Sequence, residues 1–383
     1  MIETERGNFR TLDDFDLKGK KVLVRVDFNS PLKDGKIEMN DRIREHALTL
    51  KEISEMGAAA VVLAHQGRPE KDFTESLEQH AKLAGEFIKI DYVDDLKGEE
   101  ALKRIKSLDE GEILLLKNVR SDGEEFEPSP NNLMVRNLAP LFDIFVNDAF
   151  SVAHRSQTST VSFAEVLPSC MGRLMEKELK AVKDMRSRRM LYVMGGAKPE
   201  DDLILVKDEK VEKVLSTGIF GLICLVASGY RLGKPEEGLD RGLVEEVKKV
   251  IGKIKVPLDV AVNDNGRKEI AVEDLPVDTD ILDIGEKTMK FYGKHIKEAE
   301  AVFFKGPAGK FEERGFERGT FEIMKAIAES DCFSLIGGGH SSHAVELFNI
   351  SKDKFSHVSL AGGALIAYLA GKELPGLEVL RVK

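Results

Sequence analysis

The chain has 383 residues, 42% hydrophobic and 32% charged, with a formal net charge of −10, which favours two soluble domains with real cores and argues against nucleic acid or an anionic membrane as partner. No apolar run approaches the length of a membrane span, and the start, MIETERGNFRTLDD, carries no signal-peptide core. Cys170, Cys224 and Cys332 are too far apart for a disulfide frame or a zinc site, so a cytoplasmic, reducing location is expected.

In chain order, KVLVRV (21–26) predicts a strand, and RIREHALTLKEISEM (42–56) a helix stopped by Gly57. AAVVLAH (59–65) predicts the next strand and SLEQHAKLAGEFIK (76–89) the next helix, followed by strands at EILLLKN (112–118) and DIFVND (143–148). Near-continuous apolar strands alternating with helices imply a parallel sheet covered on both faces. The alternation pauses at 168–187, which reads as one long helical stretch rich in Glu and Lys, and resumes with RMLYVMGG (189–196). Later strand candidates are VPLDVAV (256–262), DILDI (280–284), AVFFKG (301–306) and CFSLIGGG (332–339). The expected fold is α/β: two doubly wound parallel-sheet domains, residues 1–170 with 370–383 and residues 188–369, joined by a hinge helix at 171–187. The alternative is one large sheet with an exposed helix.

Arg25, Arg42, Arg68, Arg120 and Arg155 come at or just after apolar runs, beside turn residues such as Asn29, Gly67 and Pro69. A parallel sheet delivers such positions to its carboxyl edge, and a guanidinium grips phosphate or carboxylate with a planar fork. Any one arginine alone reads equally well as a surface ion pair. The set points to a small substrate with several negative charges.

In the second half, glycines follow strands in MGGAK (194–198), KGPAGKFE (305–312), IGGGHSS (336–342) and LAGGALIAYLAG (360–371). A glycine turn opening a helix lets backbone N–H groups approach phosphate oxygens. A lone instance is usually a tight turn, but four on one sheet edge favour a nucleotide polyphosphate site. No Walker loop is present, nor a GxGxxG with its acidic partner. Lys198 could steady a transferring phosphoryl group, or be a solvated loop lysine. Glu312 could accept ribose hydroxyl protons, or be an acid at a helix start.

Together, KKVLVRVDFNSPL, NDRI, AHQGRP, LLLKNVR, NDAFSVAHRSQTST, GRLMEKELK, MGGAKPED, GPAGKFE, LIGGGH, FSHVSLAGGA and GKELPG resemble the phosphoglycerate kinase family over almost the whole length, in its archaeal form. The resemblance implies two Rossmann-like domains, a hinge helix and a C-terminal tail returning to the first domain. It implies that Asp27, Phe28, Asn29, Arg42, His65, Gln66, Gly67, Arg68, Arg120 and Arg155 hold phosphoglycerate. It implies that Lys198, Glu312, Gly338, Gly339, His340 and Ser341 serve ATP or ADP with Mg2+; Lys305, which departs from the family pattern, is expected to join them at the nucleotide phosphates. The implied reaction is 1,3-bisphosphoglycerate plus ADP giving 3-phosphoglycerate plus ATP, by a monomer or homodimer whose domains close. In reverse, the substrate's own carboxylate attacks, so no general base is needed; Arg42 and Lys198 are the expected catalytic residues. Asp27 is expected to orient a substrate hydroxyl or an arginine.

Four positions depart from the common family pattern: Asp202, Lys305, His340 and the run Leu360–Ala361–Gly362–Gly363. Lys305 is expected to replace a positive charge missing at Asp202. Ala361 would strain its loop if it required positive φ. These departures leave a further reading, a binding protein that kept the anion cradle but lost efficient transfer. Because His65, Gln66 and the arginines would serve it too, a kinase of another small phosphorylated carboxylic acid is a third.

Overall fold

The computed structural model describes residues 1–68 and 70–382. It divides into two compact units, Met1–Lys180 with Gly371–Lys383, and Ala181–Ala370.

The first unit is built on β1 (Lys21–Arg25), β2 (Ala59–Leu63), β3 (Asp91–Tyr92), β4 (Ile113–Leu115), β5 (Ile144–Asn147) and β6 (Ser169–Met171), in the order β6-β5-β1-β2-β4-β3. All neighbours are parallel. Alternate residues of each strand feed two separate cores. Val22, Val24 and Val62 pack with Ile43, Leu50 and Ile53 of helix α1 (Asp41–Glu55). Leu23, Val61 and Phe145 pack on the other face with Ile105, Leu138 and Phe163. Each such fully buried side chain stabilises by roughly 1.5–3 kcal/mol. Helix α1 starts where Asn40 Oδ1 accepts the Ile43 N–H (3.1 Å) and ends before Gly57, whose φ is +82°. The helix expected over 76–89 is shorter, Glu78–Ala84, because the chain leaves helical pairing at Gly85.

The long helix expected over 168–187 is two elements. Ser169–Met171 pairs as an edge strand with β5, and helix α2 runs Arg173–Arg186. Gly172 separates them; a Cβ there would lie 2.4 Å from Asp148 Oδ1. The division between the units falls within α2. Residues after Gly371 join the first unit: Gly376 N–H donates to Ala153 O and Val382 N–H to Asn8 O, both 2.9 Å.

The second unit carries β7 (Met190–Met194), β8 (Val211–Ser216) and β9 (Ile254–Lys255). A separate antiparallel sheet follows, β10 (Asp259–Asn263), β11 (Arg267–Ala271) and β12 (Ile281–Ile284), then β13 (Ala301–Lys305), β14 (Phe333–Gly337) and β15 (His357–Val358). The parallel sheet runs β9-β8-β7-β13-β14-β15. The strands expected at 256–262 and 280–284 exist, but pair in the small sheet. The core of the parallel sheet joins Val193, Leu215, Val302 and Phe304 to Tyr292, Ile296, Ile323 and Ile327.

Candidate functional site

The strand order reverses between β1 and β5 in the first unit, where β4 also inserts between β2 and β3, and between β7 and β13 in the second. Ligands of open α/β sheets bind at the carboxyl ends beside such a reversal, and the candidate residues collect there.

In the first unit, Asp27 follows β1 and is 2% exposed. Its Oδ1 accepts the Asn29 N–H (2.9 Å), its Oδ2 accepts the Ser151 hydroxyl, and Arg42 Nη1 lies 3.4 Å away. Burial pushes its pKa up, but the Arg42 guanidinium and the Ser151 hydroxyl more than offset this and hold the carboxyl well below its usual range. Asp27 is therefore ionised and engaged by its own neighbours. Arg42 stands in the first turn of α1 and also reaches Asn29 O (3.4 Å). Its side chain is 31% exposed, which leaves it accessible to a ligand.

His65 follows β2 and is 3% exposed. Burial, with Arg25, Arg120 and Arg155 nearby, drives its pKa well down despite Asp27, so the ring is neutral. Gly67 has φ +66°, and a Cβ would lie 2.1 Å from Asp72 O, so only glycine fits. Its N–H donates to Asn29 Oδ1 (2.7 Å) and its carbonyl accepts Arg120 Nη1 (2.5 Å). The remaining Arg120 nitrogens, Nε and Nη2, are buried without a partner. Burial, then Arg25 and Arg155, lower the Arg120 pKa to about 10. A buried guanidinium with two nitrogens that no protein acceptor meets, beside other cations, is suited to bind an anion. Arg155 belongs to the same cluster: burial and then Arg68 lower its pKa. Arg68 is exposed and pairs its backbone with Lys71 (2.8 Å). Pro69, set beside it by the sequence, lies outside the described residues.

Three expected roles change. The Phe28 ring is fully buried against His46, centroids 6.3 Å apart, so only its backbone can face a ligand. The Gln66 side chain is occupied: Oε1 accepts Ser30 N–H (2.9 Å) and bonds His80 Nε2 (3.0 Å), while Nε2 donates to Ser30 O and Asp72 O (both 2.9 Å). It fixes the turns after β1 and β2. Arg25 is fully buried, and its side chain hydrogen-bonds Ser159, Val26 and His65.

In the second unit, Gly195 N–H donates to Lys305 O and Gly196 N–H to Pro307 O, both 2.9 Å, locking the turns after β7 and β13 together. A cleft of about 270 Å³ opens there, lined mainly by apolar groups such as Leu222, Pro257, Val260 and Pro307, with Glu312 and His340 also on its wall. This is just below the common size of small-molecule pockets, roughly 300–1,000 Å³. Asp283 also lines it, but is engaged by Arg267 Nη1 (2.8 Å) and the Gly319 and Ile284 N–H groups (2.8 and 2.9 Å). Glu312 is exposed.

Helix α3 (Pro199–Val206) opens with Glu200, Asp201 and Asp202, which repel an anion from its N-terminus. Helix α5 (Gly339–Leu347), which follows α4 (Gly218–Ala227), has no acid in its first turn, and its N-cap Gly338 provides no capping side chain. Gly339 and His340 are exposed on that turn. Ser341 is buried and its Oγ accepts the Gly306 N–H (2.8 Å), so it ties α5 to the β13 turn.

Lys198 is exposed at the N-cap of α3. Lys305, expected to bring an uncompensated charge to the phosphates, is 7% exposed. Its ammonium lies 2.5 Å from Asp202 Oδ1 and 3.2 Å from Lys198 O. The two departures form a pair whose charges cancel. Ala361 is buried and has no positive φ; Gly362 does (+54°), so the anticipated strain is absent.

Ser151, Glu125, Ser159 and Asn118 were not singled out from sequence. Asn118 donates to Gln66 O (2.9 Å) and Thr74 O (2.7 Å) and accepts the Arg120 N–H (3.0 Å). Its signal was an amide at a strand end in LLLKNVR.

A family model described as phosphoglycerate kinase matches residues 12–372. The chain is 43% identical to the phosphoglycerate kinase of Methanopyrus kandleri and 44% identical to that of Methanobacterium bryantii, over 97% of each chain in both cases. The crystal structure of phosphoglycerate kinase from Pyrococcus horikoshii OT3 aligns with TM-score 0.88 at 36% identity, covering 97% of this chain and 98% of that one. The Coxiella burnetii enzyme gives 0.85 at 30%, covering 97% and 99%. With candidate residues gathered at the sheet's carboxyl edge in each unit and similarity of this extent, the chain belongs to the phosphoglycerate kinase family and is a phosphotransferase with a carboxyl group as acceptor.

Proposed function

We propose that the chain transfers a phosphoryl group reversibly between 1,3-bisphosphoglycerate and ADP, giving 3-phosphoglycerate and ATP, in the cytoplasm. The observation that carries the acceptor side is the cluster of Arg68, Arg120 and Arg155, in which the buried Arg120 guanidinium keeps two unused nitrogens, with Arg42 beside Asp27. Arg68, Arg120, Arg155 and the neutral His65 hold the non-reacting phosphate. Asn29 and Gly67 shape the turn, and Asp27 orients Arg42. The nucleoside occupies the apolar cleft with Glu312 toward the ribose. The phosphates meet the turn of Gly338, Gly339 and His340, and Lys198 approaches the terminal phosphoryl.

In the direction of ATP consumption the glycerate carboxylate attacks the terminal phosphorus and ADP leaves. The carboxylate carries no proton at neutral pH, so no base is required. Rate enhancement comes from alignment and from cations placed where charge develops. Arg42 spans the attacking carboxylate and the transferring phosphoryl, and Lys198 screens the phosphoryl from the nucleotide side. Among the described residues no three His, Cys, Asp or Glu side chains converge as a metal site. Magnesium enters as part of the nucleotide substrate, held by phosphates and water. The proposed hinge is 171–187, between domains 1–170 with 370–383 and 188–369. No helix among the described residues is long and apolar enough to cross a membrane.

The test is a coupled assay of ATP-dependent NADH oxidation with 3-phosphoglycerate, repeated with Arg42→Ala. Turnover that falls by about 100-fold or more in the variant supports the reading. Absence of turnover in the unaltered enzyme ends it.

A further inference from the structure

A buried chain of hydrogen bonds runs behind His65. Glu125, 0% exposed, accepts the Ser159 N–H (2.9 Å) and the Ser159 hydroxyl (2.8 Å). Ser159 Oγ in turn accepts Arg25 Nε (2.7 Å). Arg25 Nη1 donates to Val26 O, and Nη2 lies 3.1 Å from His65 Nδ1.

A guanidinium has five donors and no acceptor. Facing Arg25 Nη2, His65 Nδ1 must therefore present its lone pair, and the ring proton must sit on Nε2. That nitrogen lies 3.7 Å from Asp27 Oδ1, too far for a good hydrogen bond, so its proton remains available. The charged groups facing the ring are Asp27 and Arg25 at the end of β1, Arg120 after β4 and Arg155 after β5. Three cations against one anion oppose ring protonation. Glu125 supplies the negative charge that makes a fully buried Arg25 tolerable here.

We propose that Arg25 is a positioning residue: braced by Ser159 and Glu125, it fixes His65 as the neutral Nε2–H tautomer, so that the ring donates a hydrogen bond to an oxygen of the bound phosphoglycerate. This rests on the substrate assignment above. It makes His65 a permanent donor rather than a titrating group, and it explains why an arginine with no outlet to solvent sits beside the anion cluster.

The experiment is long-range ¹H–¹⁵N correlation spectroscopy of the full chain labelled at histidine, with His65 assigned by His65→Gln. The expected spectrum is a neutral Nε2–H ring from pH 6 to 8, shifted on saturation with 3-phosphoglycerate. An Nδ1–H ring, or one that titrates near pH 6.5, overturns the proposal without any variant having to fold. Kinetics give a second arm. The amide nitrogen of Gln reaches the Nε2 position and that of Asn the Nδ1 position. His65→Gln should keep KM for 3-phosphoglycerate within about three-fold, while His65→Asn raises it about ten-fold or more. Arg25→Met should raise the same KM by a similar factor, with the deficit growing below pH 6.5 as the ring gains freedom to protonate. KM for ATP should stay within two-fold throughout. Equal behaviour of the Gln and Asn variants, or an unchanged His65 spectrum in Arg25→Met, refutes it. No turnover in the unaltered enzyme would instead sink the functional reading, and the ring spectrum would still decide the tautomer.

Discussion

Lys305 Nζ lies 2.5 Å from Asp202 Oδ1, and Asp202 Oδ2 is buried without a partner. Burial pushes the Asp202 pKa up to about 7, with Lys305 pulling the other way. Lys305 also holds the Lys198 carbonyl (3.2 Å), so the pair braces the turn that presents Lys198. Lys305→Met leaves a buried carboxylate alone and should destabilise the protein by about 3–5 kcal/mol near pH 8. The loss should shrink at pH 5, where Asp202 can take a proton. The double variant Asp202→Leu with Lys305→Met should recover most of that stability while turnover stays about ten-fold down. Denaturant melts and the coupled assay check both. Full turnover in the double variant would show that the pair does not position Lys198.

The same pair sets a pH dependence. The folded-state pKa of Asp202 stands above its unfolded value of about 3.9. Between about pH 4 and pH 7 the unfolded chain gives up this proton while the folded chain keeps it. Stability from this group therefore falls as pH rises through that window. Asp27 behaves oppositely: its folded pKa is depressed, so its contribution is present above about pH 4 and is lost as pH drops further. Thermal melts of Asp202→Asn and Asp27→Asn, each subtracted from the unaltered protein, should show slopes of opposite sign in separate pH ranges. Matching slopes would contradict the burial and pairing argued here.

Much of this was legible from local pattern. Runs such as AAVVL and ILLLK can hardly be anything but strands covered on both faces, and the glycines after them mark where backbones approach a ligand. What escaped depends on partners far away in sequence. VEKVLS (211–216) carries two charges and did not read as a strand, yet it lies between β7 and β9. Gln66 looked like a substrate ligand because nothing local reveals that Ser30, Asp72 and His80 occupy its amide. Arg25 resembled the other arginines in sequence; Glu125 and Ser159, 100 and 134 residues on, reveal it as internal. The Lys305–Asp202 pair was visible as two oddities, and their separation of 103 positions hid that they cancel.

Gly306 has φ +82°, and a Cβ there would fall 2.2 Å from Gly195 O. The turns after β7 and β13 can meet only because neither carries a side chain at that contact. Gly306→Ala should impose about 1–3 kcal/mol of backbone strain and push the two turns apart at the mouth of the apolar cleft. The expected result is nucleotide affinity reduced ten-fold or more by calorimetry, with the affinity for 3-phosphoglycerate unchanged. A variant that binds nucleotide normally would place the ligand elsewhere in the second unit.

Arg120 offers the sharpest separation of stability from function. The residue is 6% exposed, its side chain donates to Gly67 O, and its Nε and Nη2 are buried with no protein acceptor. Unmet donors of a buried cation cost more than the one bond returns. Arg120→Met should therefore raise the ligand-free melting temperature by a few degrees, since about 1 kcal/mol moves a protein of this size by roughly 2–4 °C or less. Ligand reverses the order. At 100 times its Kd, 3-phosphoglycerate should stabilise the unaltered protein by about 2.7 kcal/mol, and the variant far less, because the anion meets a thioether where a planar pair of donors stood. KM for 3-phosphoglycerate should rise at least ten-fold and KM for ATP hold steady. An Arg120→Met protein that is both less stable without ligand and equally stabilised by it would mean that these donors are satisfied within the chain and that the anion binds elsewhere.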